Sequence, residues 1–126
     1  MKKEFTNTMV ICFDPQKGIL EIKPNEDFKG RESLEHAKEN INTGFQMCGN
    51  NLKAVIAEMP SHYINAEVTL FYKKNVPNVP LAMIANSSFK VMIGNFLLSL
   101  GRPERPTALF KNHEDALEWV NQMIIK

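Results

Sequence analysis

The sequence predicts an α/β domain with a four- or five-stranded, mostly parallel mixed sheet, an antiparallel N-terminal edge and four helices. The segment Leu81–Ala85 is a short apolar run bounded by Pro80 and Asn86, as in a strand covered on both faces. Apolar residues recur at helical spacing from Ser88 to Leu100, and Pro106–Phe110 is the next strand candidate, so a strand–helix–strand unit is expected. Two apolar runs near the N-terminus, separated by a turn of hairpin length, predict the antiparallel edge.

The first half of the chain supplies two strands, a helix and a third strand. Met9–Phe13 and Ile19–Ile22 are the hairpin strands. The first helix follows Gly30, ends at Gly49–Asn51, and leads into a strand at Leu52–Met59. Its apolar positions at helical spacing are Leu34, Ala37, Ile41, Phe45 and Cys48.

The second and last helices are marked by charges at their ends. Ser61–Asn75 is predicted as a helix with Lys73 and Lys74 at its C-terminus, where cations are favourable. Asn112 is the expected cap of the last helix, in which Trp119 should pack against the sheet. The inward stripe of that helix is Ala116, Val120, Met123 and Ile124. Right-handed crossovers then join the parallel strands.

Composition indicates one domain over residues 1–126, with 44% hydrophobic and 23% charged residues. The net charge of +1 gives no field that would gather polyanions, so nucleic acid is not an expected partner. The run Met9–Phe13 is too short for a signal peptide or a membrane span, and we expect a cytosolic protein. Cys12 and Cys48 lie far apart without a CxxC motif, which favours reduced, packed thiols.

Catalytic and cofactor motifs are not evident. His36, His62 and His113 lie on three different elements without metal-ligand spacing, so no metal site is expected. Ser61 and His62 are adjacent but have no GxSxG elbow, and no glycine-rich phosphate loop is present. We therefore expect neither an enzyme nor a cofactor.

One candidate site lies where two strands end. Ligands of parallel sheets bind outside the carboxyl ends of the strands. The residues placed there to converge on an anion or a phosphorylated side chain are Ser61, Asn86, Ser87, Ser88 and Lys90. In the alternative, which is the more usual role of Asn and Ser at helix starts, these residues are helix caps.

A candidate partner surface lies on the helix Ser88–Leu100 and the connection after it. Val91 and Leu98 are seven residues apart and lie off the main apolar stripe, so they widen the apolar face. With them, the predicted surface includes Asn95, Arg102 and Arg105, because arginine beside aliphatic side chains is typical of contact patches. In the alternative, a neighbouring helix covers Val91 and Leu98.

The last third of the chain resembles the C-terminal half of the SpoIIAA-like, STAS-related bacterial proteins. The matching residues are Ile84–Ser87, Ile93–Leu97, Arg102–Pro103, Pro106, Leu109–Phe110 and Glu114–Val120. The resemblance implies a β-α superhelical domain of a fold whose members act as protein-binding modules, and it does not imply a catalytic activity. Antagonists in this group carry a phosphorylatable Asp-Ser-Ser-Gly turn, whereas this chain reads Glu58-Met59-Pro60-Ser61-His62, so we expect no phospho-switch at Ser61.

Two functions follow from these observations. The first is a STAS-like protein-interaction or regulatory module that works as a monomer or homodimer. The second is a carrier of a small apolar ligand or lipid, which is suggested by seven methionines and by the analogy between STAS and Sec14-type lipid-binding domains. A closed core without a cavity would argue against the carrier.

Overall fold

The computed structural model describes residues 1–60, 65–88, 90–92, 95 and 105–125. Its centre is a mixed sheet of six strands that lie side by side in chain order. The strands are β1 (Lys2–Phe5), β2 (Met9–Asp14), β3 (Ile19–Pro24), β4 (Ala54–Glu58), β5 (Leu81–Ile84) and β6 (Thr107–Phe110). β1, β2 and β3 pair antiparallel, and β3 to β6 pair parallel. The predicted α/β class and antiparallel N-terminal edge are confirmed, but the predicted count of four or five strands is wrong.

The additional strand is β1, and its sequence gives no apolar signal. Lys2, Lys3, Glu4 and Phe5 are all exposed, and the strand pairs only with β2. Edge strands often carry charged residues because these discourage pairing with other chains. A search for buried strands therefore misses β1.

The described residues include three bounded helices, α1 (Leu34–Cys48), α2 (Ala66–Asn75) and α3 (His113–Ile125). Residues 88, 90–92 and 95 are also helical, within the segment where the sequence predicts a fourth helix. The rest of that predicted helix lies outside the described residues. No helix among the described ranges is long and apolar enough to cross a membrane.

Local side-chain chemistry fixes where the helices begin and end. The Ser33 hydroxyl accepts a hydrogen bond from the His36 amide, and the His36 ring accepts one from the Ser33 amide, so each group caps the other at the start of α1. Gly49 ends α1 with a φ of 55°, which glycine adopts readily. The Asn65 side chain caps α2. The predicted cap of α3 is confirmed, because the side-chain carbonyl oxygen of Asn112 accepts a hydrogen bond from the Asp115 backbone amide at 2.8 Å.

The two faces of the sheet are covered by different helices, because successive side chains of a strand point to opposite faces. The face that includes Leu20 and Val55 packs on α1, through Met47 and Cys48. We call it the helix-pair face, because α2 packs beside α1. The opposite face packs on α3 and is called the α3 face. Its buried cluster comprises Ile19, Ala54, Ile56, Ala82, Ile84, Ala116 and Val120.

The prediction for the last helix is confirmed in its inward stripe. Ala116 and Val120 are fully buried against the α3 face. Trp119 is half-buried, with its ring centroid 5.6 Å from that of Phe110. The small side chains of Ala116 and Val120 therefore make the buried contact between α3 and the sheet, and Trp119 packs on Phe110 beside that contact.

Candidate functional site

A groove lies between the helix-pair face of the sheet and the helices α1 and α2. It encloses a cavity of about 180 Å³, and its lining is almost entirely apolar. Strands β3, β4 and β5 form its floor. Its apolar lining includes Ile22, Ala57, Met83, Ile41, Phe45 and Met59.

Two small residues, one on the sheet and one on a helix, belong to the lining of the groove. Ala57 lies on β4, and Gly44 lies on the inward side of α1. Among the described residues, a Cβ atom added to Gly44 would meet the Leu20 side chain, at 3.6 Å, which is an ordinary contact. Protein interiors rarely leave voids larger than a water molecule, so a space of this size is a distinct feature of the fold.

Part of the apolar stripe of α1 lines this groove. Ala37 and Cys48 are buried, as the helical spacing predicts. Ile41 and Phe45 line the groove together with Cys48, and Phe45 keeps 46% of its surface exposed. The side chains of Ile41 and Phe45 are thus available to a ligand and do not fill the core.

A buried polar network forms one wall of the groove, where α1 meets α2. The Asn40 amide nitrogen lies 2.8 Å from the hydroxyl oxygens of Thr8 and Tyr72 and 3.3 Å from the Glu32 carboxylate, so its two hydrogens are shared among three acceptors. The Thr6 hydroxyl donates a hydrogen bond to the side-chain carbonyl oxygen of Asn40. The network therefore joins the β1–β2 turn, the loop before α1, α1 and α2.

Tyr72 is held as a neutral phenol in this network. Burial raises its pKa well above the usual value, and the nearby Glu32 carboxylate adds to the rise. The phenol oxygen accepts from Asn40. The Tyr72 ring can thus present an apolar face to the groove while its polar end is bound in the wall.

The other neutral polar side chains of the described lining are also bound within the chain. The Thr69 hydroxyl donates to the Asn65 carbonyl at 3.0 Å, and the Thr107 hydroxyl donates to the Arg105 carbonyl at 3.1 Å. The groove therefore offers a ligand mainly apolar contact and the charges of Lys73, Arg105 and Glu58.

The comparisons with known proteins give one match. Residues 16–124 match the family model described as Domain of unknown function (DUF7793). The chain belongs to this family. No curated protein and no solved structure matches the chain. The matched range of the DUF7793 domain runs from the turn before β3 to the last turn of α3, so it contains the floor strands, α1 and α2.

The structure places the predicted strand-end residues of the DUF7793 domain as follows. Asn86, Ser87 and Ser88 are exposed, and the Ser87 hydroxyl accepts from the Lys90 amide at 3.2 Å, as a helix cap does. The Lys90 ammonium lies 3.8 Å from the Glu58 carboxylate. Ser61 lies outside the described residues. Local capping thus accounts for Ser87, and binding of an anion at this edge stays a prediction.

The predicted partner surface is corrected in one residue. Arg105 is only 7% exposed, because its guanidinium turns inward and donates to the Val76 carbonyl at 3.2 Å. Val91 is half-buried and packs on Met59, which follows β4, and on Met83 of β5, so it contacts the sheet side, and whether a neighbouring helix covers Val91 and Leu98 stays a prediction. Asn95 is exposed. Leu98 and Arg102 lie outside the described residues.

The histidines that the structure describes have local partners. His36 completes the cap of α1, and His113 pairs with the Glu21 carboxylate on the α3 face. His62 lies outside the described residues. Among the described residues, no group of three His, Cys, Asp or Glu side chains is placed to hold a metal ion.

Sequence reasoning missed the polar wall and the groove. Asn40 and Gly44 lie three and seven residues after Ala37, on the same inward side of α1. A polar residue and a glycine at core positions of a helix are the signal that would have found them, because each contradicts the pattern of a packed stripe.

Proposed function

We propose that this DUF7793 domain is a non-enzymatic, STAS-like binding domain that holds a small apolar ligand in the groove. The observation that carries the proposal is the apolar cavity of about 180 Å³ between the sheet and α1–α2. An apolar cavity of about 150 Å³ in another protein stays dry and binds benzene. A space of this kind therefore suits a single ring or a short aliphatic chain.

The STAS-like part of the proposal rests on the order of elements and on the C-terminal motif. The order is an antiparallel edge followed by strand–helix units in a parallel sheet, with a last helix on the opposite face. The resemblance in the last third of the chain implies a binding module and does not imply a catalytic activity. The sixth strand is an addition at the N-terminal edge and leaves this order unchanged.

Cys48 supplies the one thiol among the described lining residues, and its protonation state disfavours a catalytic role for the groove. Burial raises the pKa of the Cys48 thiol, so it stays protonated. A protonated thiol is a poor nucleophile. The groove chemistry therefore supports binding.

Titration with 1-hexanol and hexanoate tests the proposal, because both present the same short aliphatic chain. We expect saturable binding of at least one of them, measured by calorimetry or by NMR. Ala57→Leu should abolish it, since the larger side chain projects from the groove floor. Ala66→Leu is the matched control, because Ala66 is exposed at the start of α2 and outside the lining.

The two results that would overturn the proposal are clear. The first is that neither 1-hexanol nor hexanoate binds. The second is that Ala57→Leu and Ala66→Leu both bind these compounds as well as the unmodified domain does. Circular dichroism of both variants shows whether each remains folded, and Ile22→Phe provides a second way to fill the groove if Ala57→Leu does not fold.

A second proposal, self-association, is supported by the exposed edge of β1. Met1 and Phe5 are 82% and 64% exposed, which is unusual for large apolar side chains at an edge. If a second copy pairs antiparallel about Lys3, Lys2 lies opposite Glu4 of that copy and Met1 lies opposite Phe5. Opposite residues share a face of the sheet, so this register places two Lys2–Glu4 ion pairs on one face, whereas on the other face two Met1–Phe5 pairs flank a Lys3–Lys3 pair whose like charges oppose association.

A charge exchange tests this pairing in sedimentation experiments. We expect a concentration-dependent dimer that Glu4→Lys weakens and that the double variant Lys2→Glu with Glu4→Lys restores. Glu26→Lys, at an exposed loop position, is the control. A monomer at all accessible concentrations, or a dimer indifferent to these changes, would contradict the proposal.

A further inference from the structure

Sulfur atoms are concentrated in the lining of the groove. Met9, Met59 and Met83 contribute thioethers, and Cys48 contributes a thiol. Met59 and Met83 are 5% and 2% exposed and belong to one buried cluster. Burial raises the pKa of the Cys48 thiol, so this sulfur is uncharged as well. The described lining therefore contains four uncharged, polarisable sulfur atoms.

The strand register brings two of these sulfurs beside the short side chain of Ala57. Ala57 of β4 is the direct neighbour of Met83 on β5. Met59 follows Ala57 by two residues, and the Met59 amide donates to the Ile84 carbonyl at 2.8 Å, so the strand pairing continues to Met59. Side chains two residues apart share a face of a strand. Met59 and Met83 thus pack with Ala57 on one part of the groove floor.

Aromatic rings belong to the helix side of the groove. Phe45 of α1 lines the groove and keeps 46% of its surface exposed. Tyr72 of α2 also lines it, and its hydroxyl oxygen lies 2.8 Å from the Asn40 amide nitrogen. A ligand between the sheet and the two helices therefore meets methionine sulfur on the sheet side and aromatic rings on the helix side.

This combination of neighbours favours an aromatic ring over a saturated one. Methionine sulfur makes favourable contacts with aromatic rings at about 5 Å, often at the ring edge. Pairs of aromatic rings adopt offset-stacked or edge-to-face arrangements, which add to the free energy of burial. A saturated ring or chain gains neither contribution. Its binding is favoured only by the burial of its apolar area.

We propose that the ligand of the groove is a single aromatic ring, held between the methionines of the floor and the rings of Phe45 and Tyr72. This inference rests on the proposed function and names its ligand class. The cavity of about 180 Å³ has a suitable size, because a cavity of about 150 Å³ in another protein binds benzene. The ring binds through its faces and edge and needs no charged partner.

Benzyl alcohol and cyclohexylmethanol test the inference, because they carry the same CH₂OH group on an aromatic and a saturated ring. We expect titration by calorimetry or NMR to show that benzyl alcohol binds about five- to tenfold more tightly. Hydrophobic burial alone predicts the reverse order, since the saturated ring has the larger apolar surface. Equal binding, or tighter binding of cyclohexylmethanol, would overturn the inference and leave the proposed function intact.

The aliphatic compounds 1-hexanol and hexanoate separate this result from failure of the proposed function. We expect 1-hexanol to bind as well, because its chain is buried in the same space. If either aliphatic compound binds and benzyl alcohol does not, the groove holds apolar ligands but the inference is wrong. If none of the four compounds binds, the inference and the proposed function both fail.

Met83→Leu shows whether methionine sulfur supplies the preference for the aromatic ring. Leucine is apolar and close to methionine in volume but has no sulfur, and such exchanges usually preserve the core. We expect benzyl alcohol to bind about threefold more weakly and cyclohexylmethanol to bind as before. Met92→Leu is the matched control, because Met92 is 61% exposed and lies outside the described lining. Equal weakening of both alcohols by Met83→Leu, or no weakening of either, would overturn the assignment of the ring to the methionine floor.

Met59→Leu repeats this test if Met83→Leu does not fold, since Met59 lies in the same buried cluster. Circular dichroism of each variant shows whether it is folded. The comparison of benzyl alcohol with cyclohexylmethanol uses the unmodified domain and decides the inference in either case.

Discussion

Replacing Asn40 by Ala should remove the connection between α1, α2 and the β1–β2 turn. The side chain of Asn40 is buried and takes part in hydrogen bonds with Thr6, Thr8, Glu32 and Tyr72. Each such bond contributes about 1 kcal/mol net, and a buried group left without a partner costs about 1 to 3 kcal/mol. We therefore expect Asn40→Ala to lower the free energy of unfolding by about 4 kcal/mol.

Urea denaturation followed by circular dichroism measures this loss. Asn42→Ala is the matched control, because Asn42 is exposed on the same helix and should change stability by less than about 0.5 kcal/mol. Tyr72→Phe removes one hydroxyl of the network. A double-mutant cycle of Asn40→Ala with Tyr72→Phe should give a coupling energy of about 1 kcal/mol.

The reasoning would be refuted if Asn40→Ala lost less than about 1 kcal/mol, or if the cycle gave no coupling. The first result would mean that water replaces the amide without cost. The second would mean that the Asn40–Tyr72 bond of 2.8 Å does not contribute.

Three further predictions concern other parts of the structure. Gly44→Ala should raise the free energy of unfolding by about 0.5 to 1 kcal/mol, because alanine favours helix and its Cβ has room; a loss in urea denaturation would contradict this. Trp119→Ala should cost about 2 kcal/mol, less than a fully buried tryptophan, and an unchanged urea midpoint would contradict its packing on the α3 face. Cys48 and Tyr72 have raised pKa values in the folded domain, so both groups ionise first in the unfolded chain. Their contribution to the free energy of unfolding is therefore present below about pH 8.5, falls above it as the cysteine ionises, and falls again above about pH 10 as the tyrosine ionises. Tyr72→Phe should lose less stability at high pH than the unmodified domain, and a free energy of unfolding that rises there would contradict the assignment.

The helices were predictable where local chemistry decides them. Asn112 and Gly49 mark helix ends in the sequence because their side chain or backbone satisfies groups that a helix leaves open. The apolar stripe Ala116 and Val120 was predictable because its spacing matches one side of a helix.

The edge strand and the interior of the groove were not predictable by the same means. Lys2 and Lys3 form a strand only because β2 offers a partner, and periodicity does not contain that information. Arg105 suggests a surface residue by type, yet its interior position depends on the Val76 carbonyl, 29 residues away in the chain. The cavity brings together Gly44 of α1 and Ala57 of β4 among its lining residues, and only the tertiary fold decides that they share one space.

The binding of a small apolar ligand in the groove is tested most directly with ¹³C-methyl methionine NMR. Met9, Met59 and Met83 line the groove, whereas Met92 is 61% exposed and Met123 lies on α3. Titration with hexanoate should shift the methyl signals of the three lining methionines and leave those of Met92 and Met123 in place. Shifts of Met92 or Met123 without the lining three, or no shifts at saturating hexanoate and 1-hexanol, would contradict the account.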